Sequence, residues 1–285
     1  MKKVTPQYLS RFLGIPANQR IHDEFLSQIA DPLWRKLIKT LHTCPKPITT
    51  YKFETTHSLP FSMAIGAAAH HMHYGGLAVH TLQNLEYAEA LAAVYLKKGL
   101  TIDKSLLYAT IILHDSMKRF VFGFDAEYNL TRNEDRFIAE SDDHHSWVLR
   151  EMAALEAEEY LIKSVAAVHG IDAVNIGGVE SFKLVNHYLG IADIGLRYTI
   201  EDVRPEHVIA FLADTDWHWS GIAQMRSAQM AARLTSIFNV STKKLHVMIG
   251  SMFTFEAVGR LIETQGMEVA CKFYEVALRR TIESK

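Results

Sequence analysis

Ile111-Ile112-Leu113-His114-Asp115-Ser116-Met117-Lys118 sets an imidazole, a carboxylate and an amine directly behind an apolar run. Ionisable groups at the end of a core helix are costly to bury unless something pairs with them. A divalent metal meets that need. Upstream, His80 lies in Gly75-Gly76-Leu77-Ala78-Val79-His80-Thr81, and downstream His144, His145, His169 and Asp193 fall in segments that read as helix ends or helix faces. Mixed imidazole and carboxylate donors of this kind suit a metal of intermediate hardness. The chain supplies its own control in Ile21-His22-Asp23-Glu24, a second His-Asp pair in a polar amphipathic stretch with no glycine-led histidine nearby.

Outward from this stretch, helical periodicity dominates and predicts an all-α, compact multi-helix bundle. Residues 23–42 read as one or two amphipathic helices with Phe25, Leu26, Ile29, Leu33, Leu37 and Leu41 inward, the second started by Asp31-Pro32. Thr43-Cys44-Pro45-Lys46-Pro47 enforces an extended connection, and Ile48 to Glu54 is short and strand-like. A helix from Gly76 ends at Lys97-Lys98-Gly99, cations followed by glycine. Thr101-Ile102-Asp103 restarts a helix through Leu113, after which Phe120 to Arg132 reads as an irregular excursion suited to a lid or pocket wall. Ser141-Asp142-Asp143 offers capping oxygens for a helix with His144 and His145 in its first turn, and helix continues to Val168-His169-Gly170. A loop over 171–178 precedes a helix from Val179 to Arg197 that carries Asp193. Beyond Pro205, helices are expected over Val208–Leu212, Ile222–Phe238, His246–Ile262 and Val269–Ile282. The expected organisation is an N-terminal helical extension over 1–60, a metal-binding core over 61–200, and C-terminal helices over 201–285 in the same globular unit.

The 285-residue chain carries 30 basic and 32 acidic side chains, a net charge of −2, so no global field draws it to nucleic acid or anionic membrane. Cys44 and Cys271 lie far apart without a CxxC partner, which argues against a disulfide scaffold or thiolate zinc site and fits a reducing cytoplasm. Met1 to Pro6 has no long apolar run behind it, so a secretory signal is not expected. The most apolar stretch, Ala88 to Leu96, sits among too many polar residues to span a bilayer. Fifteen histidines are many for this length, and the clusters His70-His71-His73 and His144-His145 are the anomaly in the composition.

The set His80, His114-Asp115 and Asp193 resembles the HD-domain metal-dependent phosphohydrolase superfamily, whose motif is a histidine, a His-Asp pair and a distal aspartate. The resemblance covers roughly residues 70–197. His70 to Leu82 looks like the stretch around the family's first ligand, and His114-Asp115-Ser116-Met117-Lys118 like its His-Asp-x-x-Lys variant, with Met117 where the family often has glycine. It implies an HD-type bundle with additional N- and C-terminal helices. His144 or His145, with His169, would fill the places of a second metal's ligands.

The implied activity is hydrolysis of a phosphomonoester or phosphodiester, in a nucleotide or small phosphorylated metabolite. One or two divalent ions (Mn, Fe, Ni, Co, Zn or Mg) would activate a water. Asp115 and Lys118 are the expected catalytic residues, and His73, Lys118 and Arg197 the expected phosphate contacts. Long nucleic acid and membrane are not expected partners, and residues 201–285 are assigned to substrate selection or a homodimer contact. Two rival classes use the same scaffold: a two-iron oxygenase, and a non-catalytic signalling or adaptor protein.

Overall fold

The structure, a computed structural model, describes residues 4–49, 58–132, 144–171, 182–215 and 217–283. The described chain is almost wholly helical. Its elements are α1 (Pro6–Ser10), α2 (Gly14–Arg20), α3 (Pro32–Thr43), α4 (Gly76–Lys97), α5 (Lys104–Leu113), α6 (Lys118–Val121), β1 (Phe122–Phe124) and β2 (Leu130–Arg132). There follow α7 (His144–Ala154), α8 (Glu159–Gly170), α9 (Lys183–Ala192), α10 (Pro205–Asp214), α11 (Trp217–Phe238), α12 (Thr242–Phe253), α13 (Phe255–Gln265) and α14 (Met267–Glu283).

Local signals explain most boundaries. Asp31 accepts from the Leu33 N–H at 2.7 Å and Pro32 opens α3, while Asp103 caps α5 through the Leu106 N–H at 3.1 Å. Because α3 begins at Pro32, its inward face is Trp34, Leu37, Ile38 and Leu41, and Leu33 points out, 68% exposed. That corrects the expected inward Leu33. Residues 21–28 form a π turn and a 3-10 turn in place of regular helix. The excursion over 120–132 is more regular than expected: after α6, β1 and β2 pair antiparallel, with Gly123 opposite Thr131. The expected helix over 246–262 breaks at Thr254, whose φ of +59° ends α12 and whose side chain caps α13. The capping stretch 141–143, the 172–178 loop and residues 50–54 of the ribbon lie outside the described residues. At the described edge of the ribbon, the Ile48 and Thr49 N–H groups donate to the buried Glu151 of α7 at 2.6 and 2.9 Å.

Two apolar clusters organise the packing. The larger gathers α3, α4, α5, α7, α8, α9 and α10, with α5 buried on every side from Leu106 to Leu113. The smaller joins α1 to α11, α12, α13 and α14. Since α10 packs with α4, α5 and α8, the larger cluster runs through Ala213 and passes the boundary expected at residue 200. Among the described residues no single helix is long and apolar enough to cross a membrane. Cys44 and Cys271 are free.

A polar clasp fixes α10 against α8. His207, on α10, is buried, with Nε2 2.8 Å from the Ser164 hydroxyl and Nδ1 2.6 Å from the Tyr198 hydroxyl. Tyr198 is held in turn by Asn186 of α9, which accepts from its N–H at 2.8 Å and donates to its carbonyl at 3.0 Å. Burial, aided by Arg204, pushes His207 down to about 4. The unfolded chain therefore takes up a proton near pH 6.5 that the folded chain refuses until about pH 4, and stability falls on acidification through that window. Urea unfolding of wild type and His207→Gln across this range should show the variant's pH slope shallower by up to about 1.4 kcal/mol per pH unit. Parallel curves would contradict the buried neutral imidazole.

Candidate metal centre

The centre is assembled at helix ends. Gly75, at φ +81°, turns the chain into α4, and a Cβ on Gly76 would stand 2.1 Å from the His71 carbonyl oxygen. Only glycine allows the loop over residues 66–76 to lie this close against the start of α4, which carries His80 in its second turn. His114 and Asp115 leave the C-terminal end of α5, His144 opens α7, His169 is in the last turn of α8, and Asp214 ends α10.

These side chains converge on two buried carboxylates. His80 Nε2 lies 3.3 Å from Asp115 Oδ2 and 3.0 Å from Asp214 Oδ1. His114 Nε2 lies 3.4 Å from both the Asp115 and the Asp214 carboxylate. His144 Nε2 is 3.3 Å from Asp115 Oδ1, and His169 Nε2 is 3.4 Å from Asp214 Oδ2. Lys118 Nζ meets Asp115 Oδ2 at 2.5 Å, and Asn84, one turn beyond His80, donates to Asp214 Oδ1 at 2.9 Å.

The donor set fits a cation better than it fits itself. His114 Nε2, Asp115 Oδ1 and His144 Nε2 are buried and form no hydrogen bond despite their proximity. His114 donates its other ring N–H, Nδ1, to the Ile111 carbonyl at 2.6 Å, which turns Nε2 toward the two carboxylates. That backbone bond is the usual second support of a metal-ligating histidine. Groups of three such donors, among them His80-His114-Asp115, His114-His169-Asp214 and Asp115-His144-His145, lie within 4.8 Å of one another, compatible with a metal ion.

Electrostatics point the same way. Burial alone would raise both aspartates. Lys118, His114, His144 and His80 outweigh it at Asp115, as His114, His169 and His80 do at Asp214, and each is held well below the usual carboxylate range. Burial and the neighbouring His145 keep His144 well below the ordinary histidine value, and burial pushes His169 down to about 4. His80 is the exception: burial opposes its charge, but hydrogen bonds to Asp115 and Asp214 prevail and raise it. An ion bound there would displace any proton that His80 holds.

Of the residues expected from sequence, His80, His114, Asp115, Lys118, His144, His145 and His169 come together. His145 packs against His169, ring centroids 3.7 Å apart and the planes tilted by 33°, so both members of the His144-His145 pair line the site. Asp193 does not take part. It is exposed and caps α9 from a left-handed backbone at φ +54°. Arg197 is likewise exposed, on the segment leaving α9.

His73 is no phosphate contact either: it is fully buried, its Nδ1 donating to the Tyr74 carbonyl at 3.1 Å and its ring packed on Phe255. The control pair His22-Asp23 stays outside the cluster, Asp23 exposed and bonded to Gln19. The missed ligand candidate is Asp214. Its signal is in Phe211-Leu212-Ala213-Asp214, an apolar helix ending in a carboxylate, as in Leu113-His114-Asp115.

No protein family, curated protein or solved structure compared with the chain matches it. The exchange of Asp193 for Asp214 is testable by metal analysis of reconstituted protein. Asp214→Ala should lose at least one equivalent of bound metal, with Asp193→Ala indistinguishable from wild type. The opposite pattern would refute this geometry.

Proposed function

We propose that the protein is a metal-dependent phosphohydrolase acting on a phosphomonoester or phosphodiester, in a nucleotide or other small phosphorylated metabolite. The observation that carries the reading is a buried ammonium beside a convergent imidazole and carboxylate donor set: Lys118, 6% exposed, on Asp115. His80, His114, Asp115, His169 and Asp214 would hold a first ion, with His144 or His145 and the second oxygen of Asp115 available to another. A borderline transition metal such as Mn, Fe, Co, Ni or Zn suits these donors better than Mg. Bound there, the metal supplies a water acidic enough to attack at neutral pH and offsets charge on the phosphoryl oxygens.

The chain's own groups supply the rest. Asp115 holds Lys118 in place, and Lys118 presents its remaining N–H donors to a non-bridging phosphoryl oxygen whose charge grows in the transition state. This anion-binding group favours a phosphorylated substrate over the oxygenase reading. Trp217, at the start of α11 and 38% exposed, stacks over His70, whose ring lies 4.8 Å from that of His80.

Hydrolysis of bis(p-nitrophenyl) phosphate, p-nitrophenyl phosphate and nucleotides by the metal-reconstituted full chain tests the proposal. Lys118→Met should keep its metal and lose on the order of 100-fold in kcat/KM, and Asp115→Ala should lose metal and activity together. Failure to hydrolyse any phosphoester with any of these metals, or full activity in Asp115→Ala, would overturn it.

A further inference from the structure

The His70-His71-His73 anomaly is only partly absorbed by the centre above. His71 sits at φ +53°, a backbone region uncommon for a residue with a side chain, and the loop closes around its carbonyl, which accepts from the Gly66 and His73 N–H groups at 3.1 and 2.8 Å. Its ring is supported from the far side. Two acceptors face Nε2, Gln83 Oε1 at 2.7 Å and Glu256 Oε1 at 3.3 Å, so Nε2 carries the proton. Nδ1 is then a lone pair, and it faces His70 Nδ1 at 2.9 Å. This repeats the logic of His114, where one nitrogen donates to a supporting acceptor and the other is turned inward.

Both carboxylate oxygens of Glu256 are buried, with His71 Nε2 beside Oε1. Both rings are buried, His70 at 7% and His71 at 1% exposed. Two nitrogens bound to one ion at about 2.1 Å and at right angles stand about 3 Å apart, close to the His70–His71 separation.

We infer that His70 and His71, with His80, form an additional cation site beside the Asp115 centre, with Gln83 and Glu256 as the supporting acceptors behind His71. Donor atoms of the three histidines lie within 4.8 Å of one another. Three imidazole nitrogens select a borderline divalent transition ion and disfavour Mg or Ca. An ion held by both Nδ1 atoms would move the proton between them to His70 Nε2, and His80 would serve both sites only as an imidazolate, so filling both would release the His80 ring proton. The inference rests on the metal reading of the neighbouring centre, with which it shares His80.

Equilibrium dialysis of the metal-free full chain against Co2+ tests it. His71→Asn keeps a residue tolerant of positive φ, and His70→Gln leaves that backbone untouched. Each should bind one equivalent fewer than wild type while retaining the equivalents that Asp115→Asn removes. Wild-type stoichiometry in both variants would overturn the additional site and leave the Asp115 centre standing. Loss of every equivalent from both would also overturn it, since the loop would then belong to one indivisible site. No Co2+ bound by wild type would overturn both readings.

Discussion

Two carboxylates, Asp115 and Asp214, are buried at the meeting point of five helices, and the arrangement of the molecule follows from the charge they carry. A buried anion must be neutralised or paired, and removing the partner of such a group costs several kcal/mol. Here the partners are the Lys118 ammonium, the Asn84 amide and His80, with His114, His144 and His169 turned toward the carboxylates. Helices α4, α5, α7, α8 and α10 each deliver at least one donor from an end or from within two turns of one. Apolar packing between these helices provides the stability, and the donors occupy the place where a further apolar layer would otherwise continue.

The C-terminal helices are fastened to this centre through the histidine loop. Gln224 of α11 accepts from the Met72 N–H and donates to the Ala68 carbonyl, both at 3.0 Å, and Ser251 of α12 accepts from the Tyr74 N–H at 3.1 Å. Glu256 of α13 reaches His71, and Trp217 at the start of α11 covers His70. The loop that precedes α4 is thus gripped on one side by its own glycines and on the other by α11 to α13. Residues between Trp217 and Glu256 help to build the site, a role that no local motif in them announces.

The helical class and most helix starts were legible because they depend on local chemistry: a proline after a capping aspartate at α3, Asp103 at α5, and lysines followed by glycine at the end of α4. His114 and Asp115 were legible for a similar reason, since ionisable groups set directly behind an apolar run are costly to bury unpaired. Choosing between Asp193 and Asp214 needed tertiary information. Each closes an apolar helix, and only the packing of α10 between α4 and α8 decides which carboxylate turns inward. The phase of α3, which exposes Leu33, and the break at Thr254 were hidden for the same reason: both depend on what lies across the interface.

The central claim is that a metal ion sits between the two carboxylates, and anomalous X-ray diffraction from crystals of the metal-reconstituted full chain tests it most directly. Data collected on either side of the metal's absorption edge should show an anomalous peak enclosed by His80, His114, Asp115 and Asp214. Such a peak elsewhere, with these four side chains bonded only to one another or to water, would contradict the account.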